Sequence, residues 1–316
     1  MHYRTLGDTN LQVSVLCFGG NVFGWTADEQ TSFRLMDHWV AMGFNFIDTA
    51  NSYSHWVPGH QGGESETIIG KWLKRTGRRH ELILATKVGS GMGKGKNCLS
   101  RQHILQQAEL SLRRLQTDYI DLYLSHYDDP DTPVEETLEA YQQLMQQGKV
   151  RYIGASNFSP ERLQQSLDIS RQQQLPRYVC LQPLYNLYDR ESFETQYRPI
   201  CEREHLGVMT YYSLASGFLS GKYRTVEDAQ KSVRGEQVIK KYLNARGLRI
   251  LNALDQIARE TKATPAQVAL AWLIRQPAVT SAIVSATNVY QLTEIMQSTQ
   301  LALNNHQIEA LYAASA

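Results

Sequence analysis

Short runs rich in β-branched and aromatic residues recur along the chain. Each is followed by a longer stretch whose apolar positions repeat at helical spacing. Eight such runs stand at 13–19, 44–48, 82–87, 119–126, 150–156, 178–183, 207–212 and 280–285. The first seven are roughly 30 to 40 residues apart, the length of one strand–helix unit. ELILATK and YIDLYLSH are nearly continuous in apolar residues, as strands covered on both faces of a parallel sheet must be. Between the runs, Ser100 heads a segment reaching Gln116, with Ile104, Leu105, Ala108, Leu112 and Leu115 on one helical face. Ser159-Pro160 and Thr264-Pro265 place an N-cap before a proline at the first helical position. Gly43, Gly77 and Gly148 fall where helices end.

Eight strands alternating with helices predict a closed (β/α)8 TIM barrel, with an open doubly wound sheet as the rival. Residues 2–6 and 11–14, around Gly7-Asp8-Thr9-Asn10, predict a hairpin ahead of the first barrel strand. The interval before the last strand is too long for one helix. It predicts a loop over 215–246 and then two helices. Residues 304–313 predict a terminal helix. No shift in composition divides the chain, so 1–316 reads as a single barrel domain.

Lys plus Arg number 32 and Asp plus Glu 31, a balance that argues against a nucleic-acid or anionic-membrane partner. No apolar run approaches the ~18 residues of a bilayer span. The first residues carry no apolar leader, and the expectation is a cytoplasmic protein. Cys17, Cys98, Cys180 and Cys201 are scattered, which predicts free thiols and no metal site. Nothing in the pattern sets the oligomeric state.

In a barrel of this kind, polar residues at the C-terminal ends of the strands face the catalytic mouth. Those ends carry Asp48, followed by Tyr53, then Lys87, His126, Ser156-Asn157 and Gln182. Each alone reads as a turn, cap or packing residue; on consecutive strand ends they form a chemical set. A carbonyl reduced by hydride needs a proton at its oxygen. A tyrosine supplies one if its pKa, about 10 when unperturbed, is lowered. Lys87 is the cation placed to do this, Asp48 to hold Lys87, and His126 to donate to the carbonyl oxygen.

These motifs resemble those of the aldo-keto reductase superfamily. GFNFIDTANSY at 43–53, LATK at 84–87, DYIDLYLSH at 118–126, GKVRYIGASNF at 148–158 and GVMTYYSLASGFLSGKY at 207–223 carry the likeness, in order and over nearly the whole chain. The resemblance implies a barrel that reduces aldehydes or ketones to alcohols with NADPH. It implies the catalytic tetrad Asp48, Tyr53, Lys87 and His126. Ser156, Asn157 and Gln182 match residues that bind the nicotinamide carboxamide, and Tyr211 the aromatic stacked on its ring. Ser213, Leu214, Gly217, Leu219 and Lys222 match the pyrophosphate loop. Ser285, Thr287, Gln291 and Glu294 match the adenosine end. Thr287 and Asn288 stand where the family usually has an Arg or Lys, and Ile295 where it has Asn. A 2′-phosphate is best held by Arg, so NADH remains the alternative cofactor.

Trp25 and Trp56 lie on mouth loops and are expected to wall a pocket for a small carbonyl substrate. The loop GSGMGKGK at 89–96 reads as a mobile rim, or as a lid whose Lys94 and Lys96 attract anions. Three other functions stay open: an NAD-linked alcohol or sugar dehydrogenase, an NAD(P)-binding auxiliary subunit such as those of potassium channels, and a Schiff-base enzyme using Lys87.

Overall fold

The buried apolar runs become strands, and the capped amphipathic stretches become the helices that cover them. The computed structural model describes residues 2–93 and 95–316. In chain order the elements are β1 (Tyr3–Thr5), β2 (Gln12–Ser14), β3 (Leu16–Gly19), α1 (Glu29–Ala41), β4 (Phe46–Asp48), α2 (Glu64–Thr76), β5 (Ile83–Val88), α3 (Arg101–Leu115), β6 (Ile120–Ser125), α4 (Val134–Gln146), β7 (Val150–Ser156), α5 (Pro160–Gln173), β8 (Tyr178–Gln182), α6 (Arg198–Arg203), β9 (Gly207–Thr210), α7 (Gly235–Tyr242), α8 (Ala245–Thr261), α9 (Pro265–Ile274), β10 (Ser281–Val284), α10 (Val289–Gln297) and α11 (Asn305–Ser315).

β3 to β10 pair in parallel, each with the next. β10 pairs with both β9 and β3, so the sheet closes and the open-sheet rival is excluded. The result is a (β/α)8 barrel preceded by the antiparallel hairpin β1–β2. Ser100, Ser159 and Thr264 each accept a backbone N–H from the first turn of the helix they precede. No helix among the described residues is long and apolar enough to cross a membrane.

Two apolar clusters fill the molecule. The larger lies between strands and helices and includes Trp39, Trp72 and Trp272. The smaller occupies the barrel interior and joins Cys17, Phe46, Ala85, Leu124, Cys180 and Met209 to Leu6, Leu11 and Val13 of the hairpin. The hairpin therefore plugs the N-terminal end of the barrel. Its turn passes so close to the strands that a Cβ on Gly7, at φ +54°, would lie 2.2 Å from the Val179 carbonyl oxygen. Only glycine fits there.

Most boundaries shift by no more than two residues; two differences have a clear physical cause. The run at 13–19 is divided: Val13 and Ser14 belong to the hairpin and the barrel strand starts at Leu16. Ser14 Oγ donates to the Leu16 carbonyl at 2.7 Å across the bend, an interruption that continuous hydrophobicity conceals. The segment expected to be a loop over 215–246 holds 3-10 turns at Ala215–Ser220 and Val226–Lys231 and the helix α7. α7 is held by Val238 and Tyr242 alone among its fully buried large side chains, too few for a periodic signal in sequence.

Candidate active site

Alternation along the strands explains what reaches the mouth. Side chains two apart share a face, and the interior row is set by Cys17, Phe46, Ile83, Ala85, Leu122, Leu124, Cys180 and Met209. Continuing each row by two residues toward the C-terminal end arrives at Gly19, Asp48, Lys87, His126, Gln182 and Tyr211. The barrel packs apolar side chains below and delivers its polar residues in one layer above.

Lys87 Nζ donates to Asp48 Oδ2 at 2.6 Å, to the Thr49 carbonyl at 2.8 Å and to Tyr53 Oη at 2.8 Å. Its three hydrogens have three acceptors. Tyr53 Oη donates to Asp48 Oδ2 at 3.1 Å, and Gln182 Nε2 donates to Asp48 Oδ1 at 3.0 Å. The Lys87–Asp48 ion pair is buried on both sides, so removing either partner strands a charge away from water. His126 stands beside this group. Its ring centre is 6.1 Å from that of Tyr53, nearly edge-on. Its Nδ1 lies 3.4 Å from Ser52 Oγ, and its Nε2 has no hydrogen-bond partner among the described residues.

The electrostatics correct one expectation. The predicted contact between Lys87 and Tyr53 is made, yet the Tyr53 pKa stands well above its ordinary value rather than below it. Burial is the largest cause, and the Asp48 charge and hydrogen bond follow. A carboxylate as close to the phenol as the ammonium opposes the cation, and desolvation adds to it. Tyr53 thus keeps its proton. Burial also lowers the Lys87 pKa, against the pull of Asp48. His126 is pushed well below its usual range by burial, then by the Lys87 charge and by His55, so its imidazole is neutral at pH 7.

The residues at the ends of β7, β8 and β9 are joined to one another. Tyr211 Oη donates to Asn157 Oδ1 at 3.0 Å, and Asn157 Nδ2 donates to Ser156 Oγ at 3.0 Å and to the His126 carbonyl at 2.8 Å. Ser156 Oγ donates to the Gln182 carbonyl at 2.9 Å. Amides and a hydroxyl beside an aromatic face form a donor and acceptor set that fits a nicotinamide carboxamide.

The residues expected to form a pyrophosphate loop are brought together in part. Gly217, at φ +94°, lies where a Cβ would meet the Lys222 amine at 3.3 Å. The Ser213 hydroxyl turns inward to Thr210, and Leu219 lies in the core, which leaves their backbone to face a ligand. Leu214 is partly buried against that core. Lys222 is exposed, with its amine 4.9 Å from the centre of the Tyr223 ring. Sequence reasoning missed Arg234. Its guanidinium lies 4.6 Å from the centre of the Trp25 ring. With the Asn21 amide oxygen turned toward it, Arg234 Nη2 donates to that oxygen at 2.9 Å, while the Asn21 nitrogen donates to Ser285 Oγ at 2.7 Å. Burial lowers its pKa. Neither Lys222 nor Arg234 pairs with a carboxylate among the described residues. Two cations that lack a carboxylate partner among the described residues fit a pyrophosphate.

At the end of β10, the Ser285 hydroxyl donates to the Gly19 carbonyl at 2.8 Å. Thr287 donates through its backbone N and its Oγ1 to Gln291 Oε1, at 3.1 and 3.0 Å. Glu294 Oε1 accepts from Thr264 Oγ1 at 2.7 Å, facing α9. On the substrate side, Trp25 and Trp56 meet edge to face at 5.5 Å, and Trp56 lies 6.2 Å from the Tyr53 ring. In the 89–96 loop, Lys96 pairs with Asp131 at 2.9 Å; Lys94 lies outside the described residues.

The mouth of the closed (β/α)8 barrel thus joins a buried lysine–carboxylate pair to a tyrosine hydroxyl. A model of the aldo/keto reductase family matches residues 15–316, and the chain belongs to that family. It is 35% identical over 318 residues to the uncharacterized oxidoreductase YrpG of Bacillus subtilis (strain 168), covering 98% of this chain and 95% of that protein. It is also 32% and 33% identical to proteins named probable voltage-gated potassium channel subunit beta, from Arabidopsis thaliana and Oryza sativa subsp. japonica. Each of these alignments covers 94% of this chain and 91% of the relative.

Proposed function

We propose that the chain is an NADPH-dependent reductase that converts aldehydes or ketones to alcohols. The observation that carries this reading is Tyr53 Oη, held at 2.8 Å from Lys87 Nζ and 3.1 Å from Asp48 Oδ2 at the barrel mouth. When bound, the nicotinamide cofactor supplies the hydride. Ser156, Asn157, Gln182 and Tyr211 hold its carboxamide end, the 213–222 loop with Lys222 and Arg234 its phosphates, and Ser285, Thr287, Gln291 and Glu294 its adenosine end. Tyr53 retains its proton because burial and Asp48 oppose its loss, and gives it up only as negative charge develops on the carbonyl oxygen. Lys87 then stabilises the phenolate it already touches. His126, neutral and bonded at Nδ1 to Ser52, presents Nε2–H to the same oxygen. Trp25 and Trp56 exclude water and suit an apolar substrate. A Schiff base on Lys87 is disfavoured, since its nitrogen is committed to three acceptors.

The test is titration with NADPH and with NADH, followed by tryptophan fluorescence and then by turnover of simple aldehydes. NADPH is expected to bind more tightly, and Arg234→Met to weaken both by roughly tenfold or more, the size of a lost charge-assisted contact. No binding of either cofactor would overturn the reading. Equal affinities would move it to an NAD-linked dehydrogenase. Tight binding without turnover would favour the auxiliary-subunit function, which the names of two relatives support.

A further inference from the structure

We propose that Gln182 is a positioning residue that joins the cofactor-facing half of the mouth to the proton donor, through the bond from its side-chain amide to Asp48. The proposal rests on the reading of the site as a carbonyl reductase. β4 and β8 lie four strands apart in a ring of eight, so a bond between their last residues crosses the lumen. Gln182 Nε2 spans it, reaching Asp48 Oδ1 at 3.0 Å, and Gln182 is buried. The other oxygen, Oδ2, takes both Lys87 and Tyr53. Among the described residues, Gln182 is therefore the one side chain that bonds this second oxygen and opposes rotation of the carboxylate.

The bond also fixes the glutamine. A carboxylate only accepts, so the nitrogen end must face Asp48 and the oxygen end must face away, free to accept an amide N–H. The backbone carbonyl of Gln182 accepts from Ser156, which accepts from Asn157, which accepts from Tyr211. A path of hydrogen bonds, continued through the covalent frames of Gln182 and Asp48, runs from the Tyr211 hydroxyl at β9 to the hydroxyl of Tyr53. A ligand drawn to the first part of this path bears on the alignment of the acid at its end.

Two substitutions test this. Gln182→Met removes the donor while keeping length. Gln182→Glu sets a second carboxylate against Asp48, and like charges at such distance raise the pKa of one of them. Once protonated, that carboxyl donates as the amide did. The unliganded proteins give the first readout. The melting temperature of Gln182→Glu should fall below that of Gln182→Met at pH 8, and the gap should close as pH drops toward 5. The folded state then holds a proton that the unfolded chain has released, so stability is lost as pH rises. Kinetics give the second readout. At saturating cofactor, kcat of Gln182→Met should fall roughly ten- to hundredfold, the value of a bond to a charged group, and Gln182→Glu should regain turnover on the acid side. A difference in melting temperature that stays flat with pH would overturn the contact. Wild-type kcat in Gln182→Met with only weaker cofactor binding would reduce Gln182 to a binding residue. Failure of the wild type to bind cofactor would instead sink the reductase reading and leave the melting result standing.

Discussion

The two ends of the proposed cofactor track differ in what holds their side chains. At the β4–β5 end, every polar side-chain atom of the central pair is hydrogen-bonded, most of them to residues far away in the chain: Lys87 to three acceptors, Asp48 to donors from three residues. At the β10 end, Ser285 reaches across to Gly19, but the two polar side chains that follow it are committed to the start of their own helix. Asn288 caps α10 by accepting from the Gln291 N–H at 2.9 Å, and Thr287 turns to Gln291. The first arrangement is dry and long-range, so a ligand meets it ready-made. The second is local and open to water, so a ligand must exchange bonds to use it. Preorganisation belongs to chemistry, where a misplaced group costs rate. Exchangeable caps belong to recognition, where the net gain is small.

The sharpest way to break this contrast is at the acid. Tyr53→Phe keeps the ring beside Trp56 and leaves Lys87 bonded to Asp48 and Thr49. Turnover should fall roughly 10²- to 10⁴-fold, the worth of positioned acid catalysis, with melting temperature and cofactor affinity close to wild type. Steady-state kinetics with fluorescence titration of the same sample measures both. Near-normal turnover in a folded variant would show that the β4–β5 end is structural only.

A smaller effect comes from the same end through pH. His126 stands nearly edge-on to Tyr53 and stacks on Tyr127, and the charges of Lys87 and His55 act on it. Its folded pKa lies well below the ordinary 6.5. The unfolded chain therefore binds a proton that the folded protein refuses, and stability is lost as pH falls below about 6.5. The loss reaches at most about 1.4 kcal/mol for each pH unit, the value of one proton. His103, also lowered by burial, acts in the same sense, so the informative quantity is the difference between wild type and His126→Asn. Urea unfolding from pH 7.5 to 5 should show a steeper decline in the wild type. Parallel declines would mean that His126 is solvated and no part of the dry end.

How much of this was legible in sequence follows the same division. Strand ends were legible because the interior row repeats every two residues, and continuing it from Phe46, Ala85 and Leu124 reaches Asp48, Lys87 and His126. The hairpin turn was legible in Gly7-Asp8-Thr9-Asn10. Net electrostatics were not. Tyr53 has a cation and an anion at similar distance, and which prevails depends on burial that residue types do not reveal. Arg234 was not legible either. It precedes a short helix in a polar segment, and only the packing of Val238 and Tyr242 brings it to Trp25. The bond from Gln182 to Asp48 joins residues 134 apart, a register that exists only once the barrel closes.

The smallest expected effect lies at the β10 end and asks whether its caps can be exchanged for affinity. An arginine is best added at Thr287. At Asn288 it would remove the cap of α10 and cost about 1 kcal/mol. At 287 it removes one hydroxyl donor to Gln291 and leaves the backbone donor and the cap in place. A guanidinium pairs in bidentate fashion with phosphate, so Thr287→Arg should tighten NADPH roughly tenfold, about 1.4 kcal/mol, relative to NADH. Turnover at saturating cofactor should not change, because the acid lies at the far end of the track. Equal tightening of both cofactors would mean that the arginine reaches the pyrophosphate shared by both. A change in kcat would mean that the two ends are coupled, and that their separation into a fixed chemical half and an adjustable binding half does not hold.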